Sequence, residues 1–525
     1  MVTPTSAQRR IRDHQSLDLL ALAPAGCGKT EALALRVAGL IDRKEIRAPQ
    51  RVLVTTFSNR ARDNIRDRLA SYLPPAVRRD RVTVVNFHGL SARIYRAHAK
   101  VIGMSPDLLI PDSDWVGEQC RSRRLSFNMI STVRDTLRIA KQNAADDTEV
   151  ERLLAESDHD VVVEIEQLRR AQNRLTYDDL PRLAELILAN DTVAQLYRHH
   201  FAAVIVDEFQ DLTPQQLRLV NRIGYKKTTY AGDLAQGIYG FAGAEPEEID
   251  RAVRAECGLN VIEFSESHRS SPAVLNVVNA LTPRTGGTLL TSADPASWPG
   301  GGLAAHAAFS DADSEAQWVI DFTKFVLTSA PNHRVAIIAR TNPRRRFVDT
   351  FMEQSGLPFH RWDDGVLDTD TARIVKAMLA RFDFARYQNA EDKLAYLRQV
   401  ADLEALQDPS SREALAGALN WCYDLLDEGF SLTAIRARVR IGDQNTLINV
   451  PGVHLLTGHV GKGQQFDWVV IIGAEEGCIP DFRADTQEAV LEEARVLSVM
   501  VSRARHGVLV LQPDFSDHFD LMGHG

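Results

Sequence analysis

The stretch LALAPAGCGKTEALALRVAGLI (residues 19–40) constrains the fold of this chain more than any other. An apolar, strand-like run breaks into small residues, and these are followed by Lys29, Thr30 and an amphipathic helical pattern. Residues 23–30 read A-x-x-G-x-G-K-T, which departs from the strict G-x-x-x-x-G-K-[ST] signature only at Ala23. A tight strand-to-helix turn that merely contains a lysine is the alternative. We interpret the stretch as a phosphate-binding loop.

Such a loop predicts a bound nucleoside triphosphate and its metal ion. Small residues let successive backbone N–H groups face a phosphate at the positive end of the following helix. We expect Lys29 to contact the β- and γ-phosphates and the Thr30 hydroxyl to ligate Mg²⁺. The predicted cofactors are therefore ATP, or another NTP or dNTP, and Mg²⁺. The loop residues expected to bind the nucleotide are Ala25, Gly26, Cys27, Gly28, Lys29, Thr30 and Glu31.

A second segment supplies the acidic side chains that hydrolysis requires. The sequence FAAVIVDEFQDLTPQQLRLV (201–220) reads as a buried strand that ends at Asp207 and Glu208. Next to a phosphate loop, Asp207 is expected to hold the Mg²⁺ water shell and Glu208 to deprotonate the attacking water. A capped helix start after a strand is the alternative for an isolated Asp-Glu pair. A further strand-to-loop segment, residues 228–249, places Gln236 where it would touch the γ-phosphate.

The charge distribution indicates nucleic acid although the net charge is −9. Residues 51–100 carry 11 Arg and Lys against 3 Asp, a local excess of +8. A solvated helix face is the alternative for any single cluster. Phe57 at the start of this region and VTVVNFHGL at its end favour binding, because aromatic rings among cations suit stacked bases beside phosphates. Tyr239 and Phe241 are further candidates to face a nucleic-acid strand.

Cysteine usage and hydropathy exclude several other classes of protein. The five cysteines are far apart and form no C-x-x-C pair, which argues against a disulfide framework, a zinc ribbon and an iron–sulfur cluster. No apolar run of about 18 residues occurs, so we expect no membrane span. The first ten residues lack the apolar core of a signal peptide, and a cytoplasmic location is expected.

The chain resembles the UvrD/PcrA/Rep group of superfamily 1 DNA helicases from about Gln8 to Arg505. The resemblance rests on the order and spacing of many segments: TSAQRRI, APAGCGKT, TTFSNRARDNI, NFHGLSARIYRAH, TYDDL, VDEFQD, GDLAQGIYGF, EFSESHRSSPAVLNVVNAL, IIARTNPRRR, LLTGHVGKGQQFDWVVIIGAEEG and EEARVLSVMVSRAR.

The resemblance implies roles for residues that the motifs alone leave unassigned. Gln8 matches the glutamine that reads adenine, and Arg269 and Arg503 match two arginines that meet the γ-phosphate. His268 and Gln465 lie at the positions that stack on the base and contact the sugar. The residues implied to contact DNA are Phe57, Asn59, Arg60, Asn86, His88, Tyr239, Phe241, Arg340, Thr457 and His459.

The same resemblance implies an α/β architecture of two tandem RecA-like P-loop domains, each interrupted by a small, mainly helical insertion. ATP would lie in the cleft between the two domains. The expected boundaries are residues 1–103 and 176–265 for the first domain, 104–175 for its insertion, 266–362 and 448–525 for the second domain, and 363–447 for the second insertion.

Several positions depart from the family pattern. Phe241 and Ala242 replace the tryptophan and arginine of the family WRGA segment, and Gln465 replaces a glutamate. Asn86 replaces a threonine, and His268 replaces a tyrosine. The hydrolysis residues are complete, whereas residues that couple to DNA and read the base are altered.

Three functions stay open at this point. The first is a motor that translocates 3′ to 5′ on single-stranded DNA and unwinds duplex. The second is an NTPase subunit that senses single strands or DNA ends and licenses a partner nuclease. The third is a stand-alone repair helicase. The compact chain and its APAGCGKT loop also resemble the helicase-like subunit of the Gabija anti-phage system, whose partner is an OLD-family nuclease.

Overall fold

Two parallel six-stranded sheets form the framework of the protein. They are seen in a computed structural model, which describes residues 4–57, 59–109, 115–240, 243–362, 366–367, 369–390, 392–406, 409–427, 429, 431–441, 450–460 and 462–512. Every strand pair within the two sheets is parallel. The predicted α/β fold with two tandem domains is confirmed.

The first sheet has the strand order β3-β2-β4-β5-β1-β6. Side chains of β1 alternate between two apolar cores, with Leu19 and Ala21 in one and Leu20 and Leu22 in the other. The sheet is therefore covered on both faces, as continuous apolar strands require. Its strands are β1 (Leu19–Leu22), β2 (Arg51–Thr56), β3 (Val82–Asn86), β4 (Phe201–Asp207), β5 (Thr228–Gly232) and β6 (Val261–Glu263).

Helices follow most strands of the first sheet. The first helix begins with a capping box, in which the Thr5 hydroxyl accepts from the Gln8 backbone N–H and the Gln8 side chain accepts from the Thr5 N–H. The helices are α1 (Ser6–Asp13), α2 (Lys29–Asp42), α3 (Asn59–Ala70), α4 (Pro75–Arg81), α5 (Phe87–His98), α10 (Asp179–Leu188), α11 (Asp191–His200), α12 (Pro214–Gly224) and α13 (Pro246–Cys257).

Four helices occupy the range that we propose as the first insertion: α6 (Trp115–Ser122), α7 (Phe127–Ala140), α8 (Asp147–Ala155) and α9 (Asp160–Ala171). A buried ionic network joins them to α10. Asp179 accepts hydrogen bonds from Lys141 Nζ at 3.1 Å and from Arg182 Nη2 at 2.8 Å. Burial would raise the pKa of Asp179, but the charges of Lys141, Arg169 and Arg182 hold it well below its usual value.

The second sheet has the order β11-β14-β10-β15-β16-β9. Its strands are β9 (Leu303–Ala308), β10 (Arg334–Ala339), β11 (Phe359–Arg361), β14 (Gly452–Thr457), β15 (Phe466–Ile471) and β16 (Ala504–Gln512), and two short two-stranded sheets pair β7 (Glu266–Ser267) with β8 (Thr291–Ser292) and β12 (Val366–Leu367) with β13 (Arg440–Ile441). The accompanying helices are α14 (Pro272–Thr285), α15 (Ala312–Ser329), α16 (Asn342–Gln354) and α22 (Gln487–Val501).

The proposed second insertion has its own apolar core. It contains α17 (Thr369–Ala380), α18 (Phe384–Asn389), α19 (Lys393–Val400), α20 (Pro409–Asp427) and α21 (Leu432–Arg438). Arg398 of α19 forms an ion pair with Glu118 of α6, so the two insertions touch.

The two sheets share one continuous apolar core. Leu281 of α14 and Val499 of α22 belong to the same buried cluster as Leu19 of the first sheet and Ile338 of the second. The segment after β6 therefore leaves the first sheet and packs against the second. This arrangement brings the carboxyl ends of β1 and β4 towards the segments before α14 and after α22.

Candidate functional site

The phosphate loop joins β1 to α2 and is shaped by two glycines. Gly26 and Gly28 have φ angles of +85° and +81°, in the left-handed region that favours glycine. A Cβ atom at Gly28 would lie 2.6 Å from Gln8 Nε2, and one at Gly26 would lie 2.7 Å from Arg269 Cβ. Ala23 does not take a left-handed φ, which explains why alanine is tolerated at the first glycine position of the signature.

Gln8 and Cys27, which the sequence predicts to bind the nucleotide, support the phosphate loop from the protein interior. Gln8 is buried and donates a hydrogen bond from Nε2 to the Gly28 carbonyl at 3.2 Å. Cys27 is also buried, and burial raises the pKa of its thiol to about 12. Gln8 therefore positions the loop in this structure, and Cys27 packs in the core as a small apolar residue.

The predicted acidic pair meets the loop lysine. Lys29 begins α2, and its Nζ lies 3.6 Å from Asp207 Oδ1 and forms a closer ion pair with Glu208. Burial would raise the pKa of Glu208, but the charges of Lys29 and Lys462 hold it below its usual value. Burial and the charge of Glu208 raise the pKa of Asp207, against the opposing charge of Lys29. The pKa of Glu208 therefore lies below that of Asp207, and Glu208 is the more readily ionised carboxyl of the pair.

Glu208 occupies a strained backbone conformation. Its φ is +57° and its ψ +54°, which is uncommon for a residue with a side chain. Gln210 Nε2 donates a hydrogen bond to Glu208 Oε2 at 2.7 Å and fixes the carboxylate. Backbone strain of this type is retained in folded proteins where the surrounding structure holds a side chain in a functional site.

Two arginines reach the cavity from the second-domain side. Arg269 precedes α14 and donates from Nη1 to the Ser502 carbonyl at 3.3 Å, while its buried Nε has no hydrogen-bond partner in the part of the chain that the structure describes. Arg503 follows α22, is buried, and donates to the Val499 carbonyl at 2.8 Å. Burial lowers the pKa of Arg269 to about 10 and that of Arg503 to about 9, with a contribution from the charge of Arg269. Within the described ranges neither has a carboxylate partner at ion-pair distance. An anion would satisfy both.

These side chains line one cavity of about 540 Å³. The predicted residues that line it are Ala25, Gly26, Gly28, Lys29, Thr30, Glu31, Phe57, Asp207, Glu208, Gln236, Tyr239, His268, Arg269, Gln465 and Arg503. The phosphate loop, Lys29 and the arginine pair fit a polyphosphate, and the Thr30 hydroxyl and Asp207 carboxylate are oxygen ligands of the type that Mg²⁺ prefers.

No predicted role follows from the sequence for Lys462 and Asp211, two charged residues of the cavity. Lys462 Nζ lies 2.7 Å from Asp211 Oδ2, donates at 2.7 Å to the Gln236 carbonyl, and lies 4.6 Å from the centre of the Tyr239 ring. Burial raises the pKa of Asp211 to about 7, against the opposing charge of Lys462. Both residues fall inside segments that carried the family resemblance, VDEFQD and GKGQQF, and this was the available signal.

Some of the residues predicted to contact DNA line the nucleotide cavity, and others lie outside it. Phe57 and Tyr239 stack at the cavity with ring centres 4.9 Å apart and planes at 18°. Asn86 caps α5 by accepting from the Gly89 N–H, and His88 packs edge-on against Tyr177. Burial lowers the pKa of His88 to about 4. The side chains of Asn59 and Arg60, and all of Phe241, lie outside the described residues.

The remaining predicted DNA contacts lie on the second sheet. Thr457 is the last residue of β14. Arg340 donates from Nη2 to Glu493 at 2.7 Å, and its Nη1 lies 3.4 Å from His459 Nδ1. Burial lowers the pKa of His459 to about 4, so this side chain is neutral at physiological pH. Arg340 and His459 do not line the cavity that holds the phosphate loop.

None of the helices in the described ranges combines the length and the apolar character that crossing a membrane requires. The same ranges contain no group of three or more His, Cys, Asp or Glu side chains arranged to hold a metal ion.

Two family models match the chain. The UvrD/REP helicase N-terminal domain matches residues 5–255, and the UvrD-like helicase C-terminal domain matches residues 387–511. Together these ranges cover more than two thirds of the sequence.

Curated relatives that the chain matches are named as DNA helicases. The chain is 27% identical to the ATP-dependent DNA helicase UvrD2 of Mycobacterium tuberculosis, in a match that covers 92% of this chain and 75% of the relative. It is 28% identical to DNA helicase II of Salmonella typhimurium, over 73% of this chain and 52% of the relative. It is 25% identical to the ATP-dependent DNA helicase PcrA of Leuconostoc citreum, over 65% and 47%. The matches span about half the length of the last two proteins.

Proposed function

The chain belongs to the UvrD-like helicase family, and from this premise we propose that it is a DNA-stimulated ATPase that moves along single-stranded DNA. One observation carries the proposal. A single cavity is lined by the phosphate loop, by the acidic pair Asp207–Glu208, and by two arginines that have no carboxylate partner in the described ranges. Three functional parts of a phosphoryl-transfer site thus converge between the two sheets.

The geometry supports a division of labour around the triphosphate. The loop N–H groups and Lys29 hold the phosphates, and Arg269 and Arg503 stabilise the charge that builds on the γ-phosphate. Mg²⁺ bound by Thr30 and Asp207 would neutralise charge on the phosphate oxygens. Glu208, ionised and aimed by Gln210, accepts the proton of the attacking water. Phosphates that draw Lys29 towards them would also release Glu208 from its ion pair.

The same cavity offers a physical link to DNA. Phe57 and Tyr239 supply stacked rings at its rim, and Lys462 lies between Tyr239 and Gln236. A base that stacks on the partly exposed Phe57 would therefore act, through the Tyr239 ring, on side chains that also surround the γ-phosphate position. This shared lining is our basis for proposing that strand binding stimulates hydrolysis and that hydrolysis moves the strand, 3′ to 5′ as in the resembled family.

The proposal is tested by steady-state ATP hydrolysis with and without oligothymidine. We expect strong stimulation by DNA, and loss of hydrolysis in both Lys29→Ala and Glu208→Gln. The two variants should differ in nucleotide binding, measured with a fluorescent ATP analogue. Lys29→Ala removes a charge from the phosphates and should bind weakly, whereas Glu208→Gln keeps Asp207 and should bind almost normally. Hydrolysis that is indifferent to DNA, or equal loss of binding in both variants, would contradict these assignments.

The narrower alternatives are separated by strand-displacement assays. A translocating motor unwinds a partial duplex with a 3′ single-stranded tail, whereas a sensor subunit hydrolyses ATP on the same DNA without displacing the strand. None of the relatives named above carries the name of a defence system, so the Gabija resemblance and a nuclease partner stay predictions. Co-purification of the native complex tests the partner directly.

A further inference from the structure

Five arginines surround a groove at the free edge of the first sheet. The sheet ends at β3, and a groove of about 310 Å³ lies along this edge between α3 and α5. We call it the arginine groove, and its arginines are Arg51, Arg66, Arg78, Arg79 and Arg93. Among the described residues, no Asp or Glu lines it. Part of the basic region at residues 51–100 is thus collected outside the nucleotide cavity.

The chemistry of the lining limits the ligand. Leu69, Val82 and Val84 are the apolar lining residues, and the described lining contains no aromatic ring on which a base could stack. Arg51 donates to the Val82 carbonyl at 2.6 Å, and Arg66 donates to the Val84 carbonyl at 3.0 Å. These carbonyls of the edge strand are therefore occupied, which disfavours a peptide that would add a strand to β3.

The positive charge of the groove is only partly compensated. Asp63 lies 3.4 Å from Arg66 and Asp80 lies 2.9 Å from Arg79, whereas Arg51, Arg78 and Arg93 have no carboxylate within ion-pair distance among the described residues. All hydrogen bonds of the Arg51 guanidinium go to neutral acceptors, namely three carbonyls and the Thr83 hydroxyl. Arg78 Nε is buried and finds no hydrogen-bond partner among the described residues. Arg93 is exposed, and no described carboxylate lies within ion-pair distance of it. Guanidinium groups held in place in this way match phosphate oxygens in charge and in donor geometry.

We propose that the arginine groove binds the phosphodiester backbone of nucleic acid, as a contact outside the nucleotide cavity that does not read base sequence. Polymer phosphates suit an open groove lined by several arginines, and the absence of an aromatic ring from its described lining fits backbone binding. Helix α3 connects the two sites. Ala61, Asn64 and Arg68 line the nucleotide cavity, whereas Arg66 and Leu69 line the groove. The inference goes beyond the proposed function, because backbone binding here requires no hydrolysis.

The test compares Arg78→Ala/Arg93→Ala with the charge-matched control Arg47→Ala/Arg96→Ala, whose exposed arginines lie outside the groove. The dissociation constants for labelled oligothymidine and for a blunt duplex are measured between about 50 and 200 mM NaCl, without nucleotide. Loss of two phosphate contacts should reduce the salt slope by about 1.4 for the single strand or about 1.8 for the duplex. The DNA that shows the change identifies the backbone that the groove takes.

A salt slope equal to that of the control on both DNAs overturns the proposal. It is equally overturned if the groove variant loses binding only to polyglutamate, because the groove would then serve an acidic protein segment. Hydrolysis on saturating oligothymidine is measured in parallel and should match the control. If the unmodified protein shows no DNA-stimulated hydrolysis, the proposed function is wrong. The salt slope still tests independently whether the arginine groove binds the nucleic-acid backbone.

Discussion

The surroundings of Arg269 and Arg503 favour the binding of an anion. Their guanidinium groups lie close enough that the charge of Arg269 helps lower the pKa of Arg503, and burial lowers both. Bringing two cations together without a carboxylate is unfavourable unless a ligand provides the negative charge. The side chains are anchored through backbone carbonyls at Ser502 and Val499, so they remain aimed at the cavity.

Removing either arginine should therefore reduce turnover rather than folding. We expect Arg269→Ala or Arg503→Ala to lower DNA-stimulated kcat by roughly 10³-fold, the usual scale for arginines that stabilise a transferring phosphoryl group. The thermal midpoint serves as the control for folding. Normal stimulated turnover in either variant would show that the second sheet does not complete the active site.

The presence of His268 in the nucleotide cavity leads us to expect weak selectivity among nucleoside triphosphates. It lines the cavity together with Gln465, and its backbone N–H donates to the Gly26 carbonyl at 3.0 Å. An imidazole offers a smaller stacking face than the tyrosine of the resembled family, and it exchanges donor and acceptor roles more freely. We expect dATP to be used about as well as ATP, and GTP to be used measurably. This expectation is checked by measuring hydrolysis rates for the four ribonucleotides and dATP. The variant His268→Tyr should restore selectivity for adenine. Strict use of ATP by the unmodified protein would refute the expectation.

Among the elements, α10 shows how the first insertion is held to the core. The TYDDL segment leads into this helix, and its second aspartate, Asp179, is buried among Lys141, Arg169 and Arg182. Its neighbour Asp178 behaves in the opposite way, because burial raises its pKa against the charge of Lys141. Ionisation of Asp179 therefore stabilises the folded state, whereas ionisation of Asp178 destabilises it.

The two carboxylates form a matched pair for mutation. Asp179→Asn removes one carboxylate from a buried network in which Glu166 still pairs with Lys141 and Asp147 still pairs with Arg182. We expect it to lower the free energy of unfolding by about 3 kcal/mol, the low end of the range for a broken buried ion pair, because these partners remain. Because the folded-state pKa of Asp179 is depressed, its contribution is complete above the unfolded value near 3.8 and is lost as the pH falls below it. Urea unfolding at pH 7 measures the loss, and Asp178→Asn should cost much less. Equal effects of the two substitutions would contradict the network.

At the scale of the whole molecule, the two sheets are joined by polar links around the nucleotide cavity. The Gly240 N–H donates to Glu492 of α22 at 3.1 Å, and Arg495 of α22 forms an ion pair with Glu247 of α13. Lys462 adds a link from the second sheet to Asp211 and to the Gln236 carbonyl. Lys462 also lies over the ring of Tyr239, so one side chain contacts both the hydrolysis residues and a predicted DNA contact.

Lys462→Met should therefore uncouple hydrolysis from DNA. We expect the ratio of DNA-stimulated to basal hydrolysis to fall about tenfold, the change that corresponds to one charge-assisted hydrogen bond of about 1.4 kcal/mol. Lys227→Met is the control, because the Lys227 ammonium donates to carbonyls within the first domain, at Arg198 and Phe201. A ratio that stays at the unmodified value would show that the link between the sheets is only structural.

Much of this protein could be predicted from short contiguous segments of its sequence. The phosphate loop, the strand that ends at Asp207 and Glu208, and the α/β class are local properties, since glycine spacing, strand burial and helix starts depend on neighbours along the chain. The order of the motifs then indicated which segments share a site, and the cavity contains Lys29, Glu208, Arg269 and Arg503 together.

Only the tertiary structure decided which distant side chains become partners. Sequence spacing does not reveal that Lys462 reaches Asp211, that Arg340 pairs with Glu493, or that Arg398 joins one insertion to the other. The convergence of five arginines on one groove was equally hidden, because strand order and helix packing determine which faces of α3, α4 and α5 meet. The physical reason is that an ion pair depends on distances of a few ångströms, and these are set by how two sheets and their helices pack.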